Sequence, residues 1–253
     1  MAKIISFSNQ KGGIGKTTCA VNVAATLGKI GKKTLLIDFD PQGNSTSGVG
    51  ISKKDKNNSS YSCLVGLSEA KECVIKSQFD NLYIIPSNLN LAGAEVELSG
   101  VENREYLLKS AISGIKDDFD YIIIDCPPSL GLLTLNAMVA SDGIIIPMIC
   151  EFFALEGISQ LTVTTRQISK LYNNDLKIIG IILTMYDKRT NHVRAVEKEI
   201  SKYYADKVFK THISRAIKLA EAPSFGKPIN YYDPRGKSTL EFTNLTNEII
   251  KRI

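Results

Sequence analysis

Long apolar runs are missing from this 253-residue chain: stretches such as residues 122–124 and 143–147 fall far short of the roughly 20 apolar residues that a bilayer-crossing helix requires. A transmembrane helix is therefore not expected. The opening MAKIISFSNQ also lacks the apolar core and small-residue cleavage site of a secretory signal, so the expected location is the cytoplasm. Paired cysteines are lacking as well. Cys19, Cys63, Cys73, Cys126 and Cys150 are odd in number, scattered and never at CxxC spacing, which argues against a zinc site or a disulfide framework. They read as reduced, mostly buried thiols, with a thiolate-held cluster shared between subunits as the sharper alternative. No internal repeat or low-complexity tail is visible, and a first strand starting near residue 3 leaves little room for an appended N-terminal module. Nor is the charge one-sided: a net +5 permits an anionic partner such as nucleic acid without demanding one.

What is present suits one sizeable core, with 43% hydrophobic and 23% charged residues, and a single domain over residues 1–253 is expected. Short β-branched runs bounded by turn residues recur at 4–8, 34–38, 82–86, 121–125, 143–147 and 178–183. Several are apolar at consecutive positions, as in parallel strands covered on both faces. Helical spacing marks residues 16–29, 104–116, 155–171, 193–204 and 240–253. The alternation predicts an α/β fold with a doubly wound, mostly parallel sheet flanked by helices. Residues 52–62, rich in Lys, Asn and Ser, are expected to form a mobile surface loop.

The strongest local signal is FSNQKGGIGKTTCAVNVAATL, a strand end, a Gly-rich turn and a buried helix start in succession. Gly12, Gly13 and Gly15 allow successive N–H groups, including that of Ile14, to face one anion, and the helix N-terminus adds partial positive charge. Lys16 is placed for the β and γ phosphates, Thr17 for Mg²⁺ through its hydroxyl, and Thr18 for the α-phosphate. A carboxylate at a strand end must then support the hydrated metal, and Asp125 closes the 121–125 strand. Asp38 and Asp40, in IDFDPQGN, follow another strand; either can instead cap the turn around Pro41 and Gly43.

The usual GxxxxGK[ST] pattern is not met, because Gln10 holds its first Gly position while Lys11 and Gly12 stand beside it. KGGIGKTT resembles the deviant Walker A motif of the ParA and MinD superfamily of P-loop ATPases. The resemblance implies an ATP-bridged homodimer in which Lys11 enters the partner's nucleotide site, Asp40 orients the attacking water and Asp38 supports the metal's water shell. The stretches IDFDPQGNSTSGVG, LAGAEVEL, YIIIDCPPSLGLLTLNA, EFFALEGISQL, LTMYDKRTN and LAEAPSFGKPI with YDPRG extend it over the whole chain, toward the small ParA/Soj type of chromosome or plasmid partition ATPase. That type implies ATP and Mg²⁺ as cofactors, non-specific binding of double-stranded DNA, a nucleoid-associated cytoplasmic location and stimulation by a ParB-like centromere-binding partner.

For DNA, the resemblance points to Arg189 and Lys218, where Lys218 departs from an expected arginine and Ser214 from a usual proline. These cations, with Arg194 and Arg215, can also be read as solvated helix charges. The resemblance puts adenine near Met185 and Pro223. A slow basal ATPase rate is expected, since such switches rely on charge supplied in trans. Two other classes compete. A MinD-like, membrane-associated division regulator needs an amphipathic terminal helix with bulky and basic residues, whereas LTNEIIKRI reads as a packed helix, so no stable membrane association is expected. An iron–sulfur carrier needs the paired cysteines that are absent. An adaptor with a dead site is disfavoured by intact Lys16, Thr17, Asp40 and Asp125.

Overall fold

The computed structural model describes residues 1–53, 58–151 and 154–253. The strands are β1 (Lys3–Phe7), β2 (Thr34–Asp38), β3 (Ile75–Lys76), β4 (Leu82–Ile85), β5 (Tyr121–Asp125), β6 (Gly143–Ile149) and β7 (Lys177–Thr184). They form one sheet in the order β3-β4-β2-β5-β1-β6-β7. Every ladder is parallel except β3 on β4. β2 and β5 are buried at each position, which is why their sequences are apolar without alternation.

Alternate residues nevertheless serve different layers. Leu36 and Ile123 enter a core with Cys19, Val23 and Leu27 of the Lys16–Lys29 helix and Phe242, Leu245 and Ile249 of the Lys237–Arg252 helix. Leu35, Ile37, Ile122 and Ile124 face the opposite layer, with Leu108, Ile112 and Leu133. A third cluster joins Ile144, Ile146, Ile181 and Leu183 to the Ala154–Leu171 helix through Ile158, Leu161 and Ile168. Helices thus cover both faces of the sheet, as the strand–helix alternation predicts.

Both edges of the sheet are blunt. At one, β3 is two residues long and antiparallel. At the other, residues 207–209 run beside β7: Ile181 N donates to the Lys207 carbonyl at 2.9 Å and Phe209 N to the Ile181 carbonyl at 2.9 Å. Arg252, at the end of the last helix, fastens this strip by donating to the carbonyls of Ile179, Lys207 and Val208 at 2.8–3.2 Å. Its guanidinium also sits 4.1 Å from the centroid of the Phe209 ring.

Two expectations need correction. Residues 104–116 are not one helix: a 3₁₀ turn (Arg104–Tyr106) leads into the Leu107–Ile112 helix and a second 3₁₀ turn (Lys116–Asp118) follows. Asn103 enters in the left-handed region, and the Ser113 hydroxyl donates to the Ser110 carbonyl, tightening the exit. The 52–62 segment is not simply a surface loop. Residues 54–57 lie outside the described residues, but Ser60–Leu64 is a helix whose N-cap, Ser59, shares a capping box with Ser62. Serines that read as loop composition are buried helix caps.

Candidate nucleotide-binding site

Register places the chemistry. Asp125 lies opposite both Phe7 at the end of β1 and Asp38 at the end of β2, so the Gly-rich loop and two carboxylates share the carboxyl edge of the sheet. In the loop, Gly13 has φ 71° and Gly15 φ 87°, conformations that favour glycine, and Gly15 is the N-cap of the Lys16–Lys29 helix. Gly12 has open space around it. Ile14 is 1% exposed, so its side chain anchors the loop and only its backbone is left for an anion.

Sequence reasoning missed the groups that hold this loop. Asn9 Nδ2 donates to the Pro147 carbonyl at 2.8 Å and its Oδ1 accepts from Lys11 N at 3.2 Å. Thr184 Oγ1 lies 2.7 Å from the Ile14 carbonyl and 2.9 Å from that of Met148, tying the loop to β6 and β7.

The two lysines differ sharply. Lys16 is buried, with Nζ donating to the Lys11 carbonyl at 3.0 Å, and burial lowers its pKa against the opposing pull of Asp125, Cys126 and Asp40. The Lys11 side chain is 57% exposed and its ammonium pairs with Glu151. Glu151 is a site neighbour that the sequence did not disclose.

Of the carboxylates, Asp125 is fully buried. Its Oδ2 accepts from Ser45 Oγ at 2.8 Å, and Oδ1 has no hydrogen-bond partner. Burial, then the Asp38 charge, raises its pKa to about 7, against the Ser45 and Thr17 hydroxyls, which lower it. Asp38 is held by its own loop: Oδ2 accepts from Thr46 N at 2.7 Å and Thr46 Oγ1 at 2.6 Å, and Oδ1 from Asp40 N at 3.3 Å. Its pKa is likewise raised, to about 6, chiefly by burial. Asp40 performs the turn-capping role open to it, its Oδ1 accepting from Gln42 N at 2.9 Å and its carbonyl from Gly43 N at 2.8 Å.

An orphaned, buried carboxylate oxygen with the Thr17 hydroxyl beside it suits a cation. Oxygen donors of this kind are those of Mg²⁺, an ion that keeps much of its water and leans on phosphate oxygens.

Next to the helix N-terminus a cleft of about 1050 Å³ opens, lined by Gly15, Thr18, Met185, Asp187, Arg189 and Ser224, among others. Met185 is at its wall, in the left-handed region with φ 49°. Pro223 is exposed and does not line the cleft; its neighbour Ser224 does. Both cations singled out for DNA are engaged within the subunit. Arg189 makes a two-pronged pair with Asp187, at 3.0 and 2.8 Å, which holds the Asp187 carboxyl down at about 2. Lys218 Nζ lies 3.0 Å from Asp233. Ser214, by not being proline, keeps an N–H that donates to Glu241 at 3.0 Å, and its hydroxyl donates to Glu241 at 2.6 Å.

The five cysteines are free and buried, and among the described residues no helix is long and apolar enough to cross a membrane. In the EFFALEGISQL stretch, residues 152 and 153 lie outside the described residues.

The AAA domain family matches residues 2–178. The sporulation initiation inhibitor protein Soj of Bacillus subtilis is 51% identical over 249 residues, 98% of either chain. The chromosome-partitioning ATPase Soj of Treponema pallidum is 45% identical over 100% of this chain and 98% of its own. Among solved structures, a cobyrinic acid a,c-diamide synthase from Mycobacterium smegmatis with bound ATP analog and magnesium superposes with a TM-score of 0.88 at 33% identity, covering 99% of this chain and 95% of that one. A putative plasmid partition protein from Borrelia burgdorferi bound to AMPPNP gives 0.83 at 26% identity, with 100% of each chain covered. The loop geometry, the strand-end carboxylates and these full-length likenesses together lead to one conclusion: the chain belongs to the ParA/Soj family of P-loop ATPases.

Proposed function

We propose that this chain is a partition ATPase for chromosomal or plasmid DNA, a single-domain switch that dimerises on ATP, binds double-stranded DNA without sequence preference and is stimulated by a ParB-like partner. The relatives' partition names support the process. The observation that carries the switch is Lys11: it stands exposed on the phosphate loop with its ammonium paired to Glu151, while the buried Lys16 is the lysine whose ammonium lies against the loop backbone. A second, outward lysine is useful to a neighbouring subunit, whose ATP would otherwise repel this one's across the interface.

Within one subunit, Lys16 exchanges the Lys11 carbonyl for β and γ phosphate oxygens, while the backbone of Gly12, Gly13, Ile14 and Gly15 and the hydroxyl of Thr18 surround the chain of phosphates. Thr17, Asp125 and Asp38 would hold magnesium, which would supply neutralisation of the phosphate charge. Asp40 uses one oxygen on its turn and keeps the other for the attacking water. Hydrolysis by positioning alone is slow, so basal turnover stays low until a partner adds charge. Adenine occupies the cleft walled by Met185, with the backbone around Pro223 at its rim.

DNA phosphates replace Asp187 and Asp233 as partners of Arg189 and Lys218. Exposed ion pairs are weak and exchange easily, and dimerisation doubles the number of cations presented to one duplex. A cytoplasmic, nucleoid-associated location follows from that binding. The MinD-like alternative loses support because Phe242, Leu245 and Ile249 turn the main apolar face of the last helix into the core, so that face is not offered to a membrane.

The test is DNA co-sedimentation with ATP or ADP. Wild type and Asp40→Ala pellet with DNA in ATP, whereas Lys11→Ala and Lys218→Glu stay in solution. A Lys11→Ala protein that dimerises on ATP and pellets as wild type would refute the switch. Purified protein turning over tens of ATP per second unaided would refute the slow rate.

A further inference from the structure

At the other end of the sheet, the carboxyl half of the Ala154–Leu171 helix, the start of β7 and the end of the Asn191–Tyr204 helix enclose a cleft of about 500 Å³. We infer that this cleft is a second anion site, taking a small ligand that carries two or more phosphate charges. Four cations line it, Arg166, Lys170, Lys177 and Lys207, against the single carboxylate of Asp206. Only Lys207 has an ion-pair partner among the described residues, Asp206 at 3.7 Å. Four cations outside the cleft are each held by a carboxylate: Lys11 by Glu151, Arg189 by Asp187, Lys218 by Asp233 and Lys237 by Glu241.

The arrangement is not a solvated helix face. Thr162, Arg166 and Lys170 follow at four-residue spacing and so form one line down the helix. Two like charges at that spacing repel. The negative end of the helix dipole favours a cation in its last turn, which accounts for Lys170 alone. Lys177 arrives from a different element, the first residue of β7, and Lys207 from the strip hydrogen-bonded alongside that strand.

An independent sign comes from Thr162. Thr164 and Thr165 donate to the carbonyls four residues back, Gln160 and Leu161, at 3.0 and 2.7 Å. Thr162, 8% exposed and on the cleft wall, leaves its hydroxyl without any partner. A buried polar group that the protein does not satisfy is the kind that a ligand completes.

Size and donor type narrow the ligand. The volume lies in the range of small-molecule clefts. A guanidinium fork beside ammonium groups suits tetrahedral phosphate oxygens, and Ser169 and Asn174 add neutral donors. The site is separate from the phosphate loop: Lys177 and Thr184 bound β7, so roughly 23 Å of strand lies between the two ends.

Calorimetry tests this on full-length protein whose phosphate loop is first filled with AMPPNP and equimolar Mg²⁺, then titrated with inorganic pyrophosphate. One further equivalent is expected, with Kd at or below about 100 μM and weakening as salt rises. The Arg166→Glu/Lys170→Glu double variant should bind at least tenfold more weakly, and Thr162→Val several-fold, both with unchanged AMPPNP affinity. A parallel ADP titration separates sources: ADP tighter than pyrophosphate assigns a nucleoside diphosphate, and the reverse assigns a free polyphosphate. No second equivalent in wild type, or equal affinity in the double variant, overturns the site. So does a double variant that loses duplex DNA while wild type ignores pyrophosphate, because the cleft is then a nucleic-acid face.

Discussion

At the scale of single residues, the site divides into groups whose roles are local and groups whose partners are distant in sequence. Lys16, the three loop glycines and Asp125 are legible from the chain because a strand, a tight turn and a helix start fix their geometry within a few residues. Asn9, Thr184 and Glu151 are not, since each meets a partner 138 or more residues away. Lys16→Ala should lower hydrolysis at least ~100-fold, measured as phosphate release, while thermal stability is retained or improved because a desolvated ammonium is removed. Asp125 and Asp38 allow a prediction with a definite sign. Their folded pKa values, about 7 and about 6, exceed the unfolded value of roughly 3.9. The nucleotide-free fold therefore holds protons that the unfolded chain has released, and its stability declines as pH rises from about 4 through 7. Asp125→Asn should melt roughly 2–6 °C above wild type at pH 8 without ligand, and the difference should shrink steadily as pH falls and close only near pH 4. A gap that stays constant across that window would remove this account.

At the scale of elements, the strands declare themselves best. Residues 34–38 and 121–125 are strands within those bounds, because burial on both faces leaves a short unbroken apolar run before the strand-end aspartate. The same logic hides the Leu132–Ala140 helix: seven of its nine residues are buried, so no 3.6-residue polar stripe survives to mark it. β3 was illegible for a different reason, since two residues carry no period at all. Helix placement also depends on a contact that no pattern reveals. A Cβ on Gly28 would strike the Asp80 carbonyl, and Asn81 Nδ2 donates to the Gly28 carbonyl at 3.1 Å. Gly28→Ala should thus push the phosphate-loop helix off the turn before β4 and cost about 1–3 kcal/mol, read by denaturant titration. An unchanged midpoint would mean that the turn moves aside freely.

For the whole molecule, charge matters more than its modest net value suggests, because pairing decides which cations are available. Arg189 and Lys218 are engaged with carboxylates in the single subunit. DNA affinity should fall steeply with salt, by about 10-fold or more between 50 and 200 mM for a dimer that neutralises several phosphates. Binding that ignores salt would exclude this footprint. Asp187→Asn, which frees Arg189, should strengthen DNA retention in ATP and make it less dependent on dimerisation, as measured by co-sedimentation across protein concentrations.

The clamp that Arg252 makes on residues 207–209 bears on how copies of this protein can associate. With one margin of the sheet covered by that strip and the other ended by a two-residue antiparallel strand, the described residues offer a neighbour only short edges, a poor template for strand-by-strand growth into fibres. The ATP-bridged dimer proposed above would then rest on side chains and loops, contacts that a bound nucleotide could make and its loss undo. Loosening the seal with Arg252→Ala should expose the edge of β7 and favour aggregation, read by light scattering on warming.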